Sequence, residues 1–410
     1  MISKECFVYI QLPGAHELVT VGRLKWEKAS GSGRGTFVYG KSYLENPQKI
    51  ALDPFNLPLE ERTFECATND GIFGAIRDAS PDKWGRTVIE KHTTRDQWDE
   101  IGFLLNSAED RVGALSFGIN KVPPAPLRKF NKTVELESLI IAAHKIEENK
   151  EISAEEKRLL QGGMSMGGAR PKTVVEEDHA LWLAKFRSHD DRNDFPKIEY
   201  ATMRMATDCG LNVPEIRLQK VGKNDVFLIK RFDREWDKHA ESYFRTHFVS
   251  GLTLLNIGET EHDRFSYVDL ADQMRRWIPK PKDDLRELYK RIIFNALVSN
   301  EDDHPRNHGF LFHSKGFRLS MVYDLVPRPR TGTHRYSAMA IGTDRTVFTK
   351  KNIFSKCSAF DFTETEAKGL FKDMAKKVAG WRRYFQEVDL SAGDFAYLEP
   401  AFNWGGLEYQ

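Results

Sequence analysis

An α+β fold in three parts is predicted by the distribution of strand-like and helix-like patterns along the chain. Strand-like runs dominate residues 1–122 and 123–235, whereas residues 236–410 consist mainly of amphipathic helical patterns. With 410 residues, of which 40% are hydrophobic and 11% aromatic, the chain is long enough for two or three packed cores. We therefore expect an N-terminal α+β domain over 1–122, a small lobe of strand hairpins over 123–235 and a helical lobe over 236–410.

The overall composition excludes several classes of protein. Lys and Arg total 61 and Asp and Glu total 60, so the formal net charge is +1 and does not indicate a strongly charged partner. The four cysteines lie far apart, without a Cys-x-x-Cys pair, and are expected to be reduced thiols. No apolar run approaches the ~20 residues that span a bilayer, and the first residues lack the pattern of a signal peptide. We therefore expect a soluble, cytoplasmic protein without a membrane partner.

Two motifs of the N-terminal part carry structural predictions. The run 31–35 is expected to be a flexible turn before a strand; a phosphate-binding loop is the alternative, but no Gly-Lys-Ser/Thr and no helix follow it. Ser80, Pro81 and Asp82 have the pattern of a helix start, with Ser80 as N-cap and Pro81 as the first helical residue. Taken alone, both motifs are interpreted as structural.

A glycine-rich segment, residues 162–172, opens the strand pairs of the small lobe. Its small residues let backbone N–H groups approach a phosphate, and Arg170 and Lys172 add positive charge. Strand-like runs follow at 173–175 and 180–186, so the loop belongs to a hairpin rather than to a Walker A motif, which would open a helix. The glycine content alone is a weak signal for nucleotide binding.

Lys185 stands near the end of the second of these strands among apolar neighbours. A lysine on a buried strand is costly without an anionic partner, whereas a lysine at a sheet edge extends to solvent. The next helix begins near Pro196 and carries Glu199 on its first turns, and the following hairpin breaks at 231–234. A strand lysine, a helix glutamate and a break between two lobes follow one another in this order in a kinase.

The helical lobe has a clear periodic pattern. Helices are predicted over 267–277, 282–300, 363–386 and 392–402, with an irregular stretch between the second and third that ends at about Asn352. The helix 363–386 has a basic face that includes Lys376 and Arg383. A solvated face is the default interpretation of such a run, and a surface for nucleic acid or a partner is the alternative.

The most informative polar cluster follows the helix 282–300. Asp302 and Asn307 stand five residues apart, and Asp324 comes after two more strand-like runs. Protein kinases place a catalytic Asp and a magnesium-binding Asn at this spacing, with a second metal-binding Asp after a hairpin. Asp302 is therefore the predicted base, and Asn307 and Asp324 are the predicted Mg²⁺ ligands. The spacing leaves the adjacent Asp303 without a role.

A zinc site is the alternative for this cluster. It would use Asp302, Asp303, His304 and His308, but no cysteine and no His-x-x-x-His pair supports it. For His304, a structural role in holding the backbone of the loop is favoured over proton transfer.

In sequence and in order, these segments resemble the HipA kinases, the toxin members of type II toxin–antitoxin pairs. The segments that carry the resemblance are 165–172 (Ser-Met-Gly-Gly-Ala-Arg-Pro-Lys), 230–234 (Lys-Arg-Phe-Asp-Arg), 300–307 (Asn-Glu-Asp-Asp-His-Pro-Arg-Asn), 323–327 (Tyr-Asp-Leu-Val-Pro) and, in the N-terminal part, 78–86 and 110–115. The resemblance covers nearly the whole chain. It implies an atypical, bilobal protein-kinase fold with an added N-terminal α+β domain.

The resemblance also implies a set of site residues. Asp302 would be the catalytic residue, Asn307 and Asp324 would bind Mg²⁺, and Ser165 falls where members of the family autophosphorylate. The residues assigned to ATP are Ser165, Met166, Gly167, Gly168, Ala169, Arg170, Lys172, Lys185, Lys230, Phe232, Asp233 and His304. For the hinge, the backbone around Lys230 and Phe232 would hold adenine.

The family further implies partners. These are a protein substrate such as an aminoacyl-tRNA synthetase, and a helix-turn-helix antitoxin that binds operator DNA. Lys230 departs from the acidic hinge residue of some members, and nothing is transferred onto residues 331–352. Two rival functions are a binding protein that transfers no phosphate and a kinase of small molecules.

Overall fold

A computed structural model describes residues 4–29, 32–92, 98–125, 130–161, 168, 170–330, 332, 334–402 and 407. Helices occur beside mainly antiparallel sheets in the described chain, which confirms the α+β class. The chain divides into two compact units, the first built from Met1–Asp190, Lys220–Gly258 and Leu311–Ser314, the second from Asp191–Gln219, Glu259–Phe310 and Lys315–Gln410. The bounds of the three predicted domains stay a prediction.

The strands are β1 (Glu5–Gln11), β2 (Leu18–Ala29), β3 (Ser32–Tyr39), β4 (Thr63–Cys66), β5 (Leu115–Gly118), β6 (Asn131–Lys132), β7 (Lys172–Glu177), β8 (Ala180–Lys185), β9 (Ile216–Val221), β10 (Asn224–Lys230), β11 (Arg234–Asp237), β12 (Ser242–Arg245), β13 (Phe248–Ser250), β14 (Gly309–His313) and β15 (Gly316–Leu319). The α-helices are α1 (Lys41–Leu44), α2 (Gly74–Asp78), α3 (Lys83–His92), α4 (Glu100–Asn106), α5 (Leu136–Glu147), α6 (Ala154–Gln161), α7 (Phe195–Asp208), α8 (Gly251–Leu255), α9 (Tyr267–Trp277), α10 (Lys282–Leu297), α11 (Lys350–Ser355), α12 (Glu364–Val378), α13 (Trp381–Gln386) and α14 (Ala392–Phe402). None of the helices in the described residues is both long and apolar enough to cross a membrane.

In the first unit, an antiparallel sheet has the strand order β4-β3-β2-β1-β5. The prediction of a flexible turn over 31–35 is wrong for Gly33 and Gly35, which lie within β3 and pair with β2. The 3-10 turn Asn69–Gly71 crosses this strand so closely that an added Cβ on Gly35 would lie 1.9 Å from the Gly71 carbonyl oxygen. These glycines therefore allow close packing of two backbones, not turn flexibility.

A second sheet of the first unit contains the order β6-β7-β8-β10. One continuous apolar core joins this sheet to α3, α5 and α6, through buried side chains that include Trp84, Leu139, Trp182 and Leu228. Because α3 comes from the N-terminal part of the sequence, that part shares a core with the strands that carry Lys172 and Lys185.

The predicted N-cap at Ser80 is wrong. The helix α3 begins at Lys83, and Asp82 caps it by accepting the Gly85 N–H at 2.7 Å. Ser80 follows the end of α2 and is still bonded to it, because its N–H donates to the Arg77 carbonyl at 3.0 Å. An aspartate is as good an N-cap as a serine, so the pattern placed the helix correctly within a turn but assigned the wrong cap.

The second unit is mainly helical, and α9 has the predicted bounds. The helix predicted over 282–300 is α10, which ends at Leu297 and is buried along most of its length. The helix predicted over 363–386 is two helices, α12 and α13, separated at Ala379 and Gly380. Glycine is the weakest helix former after proline, so a break at this position agrees with local propensity.

Replacing Gly35 by Ala tests the close crossing of β3. We expect Gly35→Ala to lower the free energy of unfolding by about 1–3 kcal/mol, the usual range for overpacking, because its Cβ would overlap the Gly71 carbonyl. Gly369→Ala is the control, since Gly369 is exposed in α12 and an added Cβ would meet nothing within 4 Å; it should be neutral or stabilising by up to ~1 kcal/mol. Urea unfolding measures both, and equal stability of the two variants would contradict the expectation.

Candidate active site

The predicted catalytic loop begins where α10 ends. The chain turns at Ser299, whose φ of +52° lies in the left-handed region, and the Asn300 N–H donates to the Asn295 carbonyl at 2.8 Å. A single 3-10 turn, Pro305–Asn307, then leads into β14. The loop is therefore a short, tightly turned connection between a buried helix and a strand.

Asp302 lies at the surface of this loop. Its side chain is 59% exposed, and its Oδ2 accepts a hydrogen bond from Arg328 Nη2 at 2.7 Å. Its backbone carbonyl accepts the His304 N–H at 3.0 Å and Asn307 Nδ2 at 3.2 Å. The predicted base and one predicted metal ligand are thus in direct contact, and the carboxylate remains accessible from solvent.

Asn307 and Asp324 offer oxygen atoms of the kinds that Mg²⁺ binds. Asn307 is buried, and its Nδ2 is engaged by Asp302, which leaves Oδ1 for a ligand. Asp324 is exposed with a φ of +60°, a conformation that Asp adopts more readily than most residues. The Tyr323 hydroxyl donates to the Arg306 carbonyl at 2.8 Å and fastens the Asp324 segment to the loop. One amide oxygen and one carboxylate are sparse oxygen ligands, so the donor set fits magnesium.

Asp303, the neighbour of the predicted base, points into the protein. Its Oδ2 accepts hydrogen bonds from the Tyr267 hydroxyl and from Asn295 Nδ2 at 2.6 Å, and it lies 3.0 Å from His308 Nε2. Burial alone raises the pKa of Asp303, but the facing His308 and the hydrogen bond from Tyr267 hold it below its ordinary value. Asp303 therefore anchors the loop as a buried carboxylate. Spacing could not reveal this role, because the partners come from α9, from α10 and from the far end of the loop.

His304 lies half-buried within the loop. Its backbone does hold the turn, because its carbonyl accepts the Asn307 N–H at 2.9 Å. Its Nδ1 is buried and has no hydrogen-bond partner in the described part of the chain, and its contact with a nucleotide stays a prediction. As for the zinc alternative, no group of three or more His, Cys, Asp or Glu side chains that could hold a metal ion occurs among the described residues.

Much of the predicted phosphate loop lies outside the described residues. This applies to Ser165, Met166, Gly167 and Ala169, and so to the predicted site of autophosphorylation. Gly168 is exposed with a φ of +113°, which favours glycine. Arg170 is half-buried.

Lys172, at the end of this segment, has a partner within the protein. Its Nζ donates to Asp82 Oδ2 at 3.1 Å, and the two side chains are only 3% and 4% exposed. The other carboxylate oxygen of Asp82 caps α3, and Trp84 Nε1 donates to the Lys172 carbonyl at 3.1 Å. Lys172 therefore joins the start of β7 to the start of α3. Its contact with a phosphate stays a prediction.

Lys185 is the last residue of β8, which lies between β7 and β10. It is half-buried, opposite Lys172 on one neighbouring strand and opposite Phe227 on the other. Pairing on both sides fixes the backbone at this position. In the second unit, Glu199 is buried on α7. The roles of Lys185 and Glu199 toward ATP phosphates stay predictions.

The predicted hinge begins at the end of β10. Lys230 Nζ lies 6.0 Å from the centre of the Trp182 ring on β8, and the Arg231 N–H donates to the Leu181 carbonyl at 2.8 Å. Phe232 is half-buried. Beyond Lys230 the chain thus leaves the sheet while still bonded to β8.

Asp233 is buried at the centre of an ion-pair cluster. Arg231 donates to both of its carboxylate oxygens, at 3.0 and 2.8 Å, and Arg234 Nη1 and the Gly113 N–H donate to Oδ2 at 2.7 and 2.8 Å. Burial alone raises the pKa of Asp233, but Arg231 and Arg234 hold it far below its ordinary value. The carboxylate is thus saturated by protein donors, and its contact with a nucleotide stays a prediction.

The same arginines bind the backbone of the N-terminal motif 110–115. Arg231 Nη1 donates to the Asp110 carbonyl at 2.6 Å, and Arg234 Nη2 donates to the Arg111 carbonyl at 2.6 Å. The hinge motif 230–234 and the motif 110–115 therefore form one structural element, although more than a hundred residues separate them. No sequence pattern in either motif indicated this pairing.

Comparison with known proteins places these features in a family. The family model of the HipA-like C-terminal domain matches residues 164–381, and that of the HipA N-terminal domain matches residues 16–118. A chain in the solved complex of the Shewanella oneidensis toxin–antitoxin proteins HipA and HipB with operator DNA superposes with a TM-score of 0.67, at 17% identity, over 94% of this chain and 93% of that chain. At this identity the superposition shows the fold alone.

Curated relatives match shorter stretches. A Haemophilus influenzae protein named "Putative kinase" is 27% identical over 184 residues, which are 40% of this chain and 53% of that protein. The serine/threonine-protein kinase toxin HipA of S. oneidensis is 24% identical over 146 residues, which are 31% of this chain and 33% of that protein. The chain therefore spans about half or less of the length of these relatives.

Asp233→Asn tests the ion-pair cluster of the hinge. Removing the charge leaves two buried guanidinium groups without their carboxylate, so we expect the free energy of unfolding to fall by about 3–5 kcal/mol. Because the pKa of Asp233 is lowered in the folded protein, its stabilisation is complete above pH ~4 and is lost as the pH falls through that lowered pKa. Glu60→Gln, which breaks a pair with Arg62 in which both side chains are more than half exposed, should change stability by less than ~1 kcal/mol. The free energy of unfolding of both variants is measured with urea at pH 7. Equal losses of stability in the two variants would contradict the assignment of Asp233 as the centre of a buried ion-pair cluster.

A double-mutant cycle of Asp82→Asn and Lys172→Met tests the link between α3 and β7. Two side chains in contact should show a coupling free energy of about 1–3 kcal/mol in urea unfolding. The control cycle replaces Lys172→Met by Lys83→Met, since Lys83 is exposed beside Asp82, and should show almost no coupling. Additive effects in the first cycle would mean that the buried pair does not stabilise the protein.

Proposed function

The chain belongs to the HipA family, and we propose on this basis that it is a protein serine/threonine kinase that uses ATP and Mg²⁺. The observation that carries the proposal is the arrangement of Asp302 and Asn307 on one tightly turned loop. The first presents an exposed carboxylate, and the second presents a buried amide whose nitrogen is bonded to the first. The attachment of the Asp324 segment to the same loop through Tyr323 adds support.

Phosphoryl transfer requires positioning and charge stabilisation more than covalent chemistry. Asp302 would accept the proton of a serine or threonine hydroxyl, for which its exposure is suitable. Asn307 and Asp324 would hold Mg²⁺, which, when bound, neutralises charge on the phosphate oxygens. Lys185 would contact the phosphates, and the backbone around Lys230 would pair with adenine.

The Asp303 network supports the catalytic assignment of its neighbour. Asp303 is buried by contacts with Tyr267 and Asn295, whereas the residue before it, Asp302, is exposed to solvent. A base must reach a substrate hydroxyl within hydrogen-bond distance, so exposure favours Asp302 over Asp303. A purely nucleotide-binding protein would not need an exposed carboxylate at this position.

We further propose that the kinase is the growth-arresting toxin of a toxin–antitoxin pair. Its partner would be a helix-turn-helix antitoxin bound to operator DNA, as supported by the fold shared with a chain of the S. oneidensis HipA–HipB–DNA complex. Its substrate would be a component of translation such as an aminoacyl-tRNA synthetase. Autophosphorylation on Ser165 would silence it, which rests on the family resemblance of residues 165–172.

Asp302→Asn tests the kinase activity. The full-length protein with ATP labelled at the γ-phosphate and Mg²⁺ should become labelled, with Ser165 as the expected site in tandem mass spectrometry. Asp302→Asn should lower the rate of labelling by about 10²–10⁴-fold, the usual contribution of a positioned base, while ATP affinity measured by calorimetry changes little. Asp272→Asn is the matched control, because Asp272 is also exposed and paired with an arginine. ATP binding without labelling of the unmodified protein would favour the purely binding role.

The toxin role has its own test with the same variants. Expression of the unmodified protein or of Asp272→Asn should stop bacterial growth, and expression of Asp302→Asn should not. Growth arrest that persists in Asp302→Asn would separate toxicity from phosphoryl transfer.

A further inference from the structure

We propose that Arg328 is a second catalytic residue of the transfer step, which orients the Asp302 carboxylate and donates to the phosphoryl group in transit. This inference rests on the proposed kinase function. It adds a residue to the proposed base, Asp302, and the proposed metal ligands, Asn307 and Asp324. Arg328 follows Asp324 by four positions, directly after the motif 323–327, and no role was assigned to it from the sequence.

The contact itself is direct. Arg328 Nη2 donates to Asp302 Oδ2 at 2.7 Å, and the two side chains are 35% and 59% exposed. Surface ion pairs of this kind contribute little to stability. A guanidinium placed against the base is therefore better explained by chemistry at the carboxylate than by folding.

The position of Arg328 is fixed by its own backbone. Its N–H donates to the Ser299 carbonyl at 3.0 Å, at the start of the catalytic loop. Prolines precede and follow it, which restricts the backbone on both sides. Two residues later Arg330 Nε lies 2.6 Å from Glu301 Oε2. The segment is thus attached to the loop at two positions, Arg328 and Arg330, and these contacts fix the position of the Arg328 guanidinium.

Both members of the pair retain atoms for a substrate. Among the residues that the structure describes, none accepts a hydrogen bond from Nε or Nη1 of Arg328, and none donates to Oδ1 of Asp302. The other arginines beside the loop are already engaged by carboxylates, Arg306 by Glu259 and Arg330 by Glu301. A planar guanidinium with unused N–H groups suits the oxygens of a phosphoryl group.

These atoms define a balanced step. The bond between the γ-phosphorus and the β,γ-bridging oxygen of ATP breaks, and a bond forms between that phosphorus and the substrate hydroxyl oxygen. The hydroxyl proton passes to Asp302, and ADP leaves with the bond electrons. Arg328 would hold the Asp302 carboxylate by one oxygen while its remaining N–H groups donate to the phosphoryl oxygens, where charge develops in the transition state.

The test compares Arg328→Met and Arg328→Lys with Arg275→Met in the full-length protein. Arg275→Met is the matched control, because Arg275 is also 35% exposed and is paired with an exposed aspartate, Asp272, outside the loop. Three quantities are measured. The first is the single-turnover rate at which the protein phosphorylates itself, and the second is its affinity for ADP with Mg²⁺. The third is the gain in that affinity when aluminium fluoride is added as a mimic of the phosphoryl group in transit.

We expect Arg328→Met to lower the transfer rate by about 10²–10³-fold, as for the loss of one charge-stabilising donor. The gain from aluminium fluoride should shrink by a similar factor, while ADP affinity stays within about twofold, since the lost contact exists mainly in the transition state. Arg328→Lys should recover part of the transfer rate and part of the gain from aluminium fluoride, and Arg275→Met should match the unmodified protein.

Other outcomes overturn the inference in distinguishable ways. A transfer rate in Arg328→Met equal to or above that of the unmodified protein would make the pair a blocking contact or an incidental one. An equal loss of ADP affinity would assign Arg328 to ground-state binding. If the unmodified protein binds ADP but neither transfers phosphate nor gains affinity from aluminium fluoride, the kinase function fails, and this inference fails with it. Should Arg328→Met not fold, Arg328→Lys and Arg328→Gln provide the same comparison.

Discussion

One buried carboxylate, that of Asp303, fixes the loop on which the candidate active site depends. The partners of Asp303 lie inside the second unit, on α9 and α10. Because a buried charge is tolerated only when it is paired and hydrogen-bonded, Tyr267, Asn295 and His308 together fix the side chain. Asp302 is then turned toward solvent and Arg328. The chemistry of the exposed residue thus rests on the burial of its neighbour.

Buried carboxylates with partners from distant segments also occur in the first unit. Asp82 joins α3 to β7 through Lys172, Asp233 joins the hinge to the backbone at Gly113, and Asp78 accepts the Ser250 N–H at 2.6 Å and the Thr253 hydroxyl at 2.7 Å. In each case both sides of the contact are far apart in sequence. Breaking a buried pair of this type costs more than the pair contributes, since the remaining partner is left desolvated. These carboxylates therefore specify which segments meet, more than they add to net stability.

Many of the elements could be predicted from periodicity and propensity, since these act locally. The helix 267–277 agrees with α9, and the strand pairs around Lys185 and Lys230 occur as expected. Predictions from local sequence were wrong where a segment distant in sequence makes a contact. Gly33 and Gly35 belong to a strand that the turn Asn69–Gly71 crosses, and Asp82 rather than Ser80 caps α3. A flexible turn and a close crossing both call for glycine, so composition could not distinguish them.

The sequence by itself determined which chemical groups occur and in what order: a glycine-rich segment, a strand lysine, a hinge, and an Asp and an Asn five residues apart, with a later Asp. These are one-dimensional properties, and the family's resemblance rests on them. Only the tertiary structure decided which groups are exposed to solvent and which are buried against the protein. It buried Lys172 against Asp82 and Asp233 against Arg231, and it brought Arg328 to the carboxylate of Asp302. The physical reason is that burial and ion pairing depend on contacts between segments distant in sequence, which spacing along the chain does not encode.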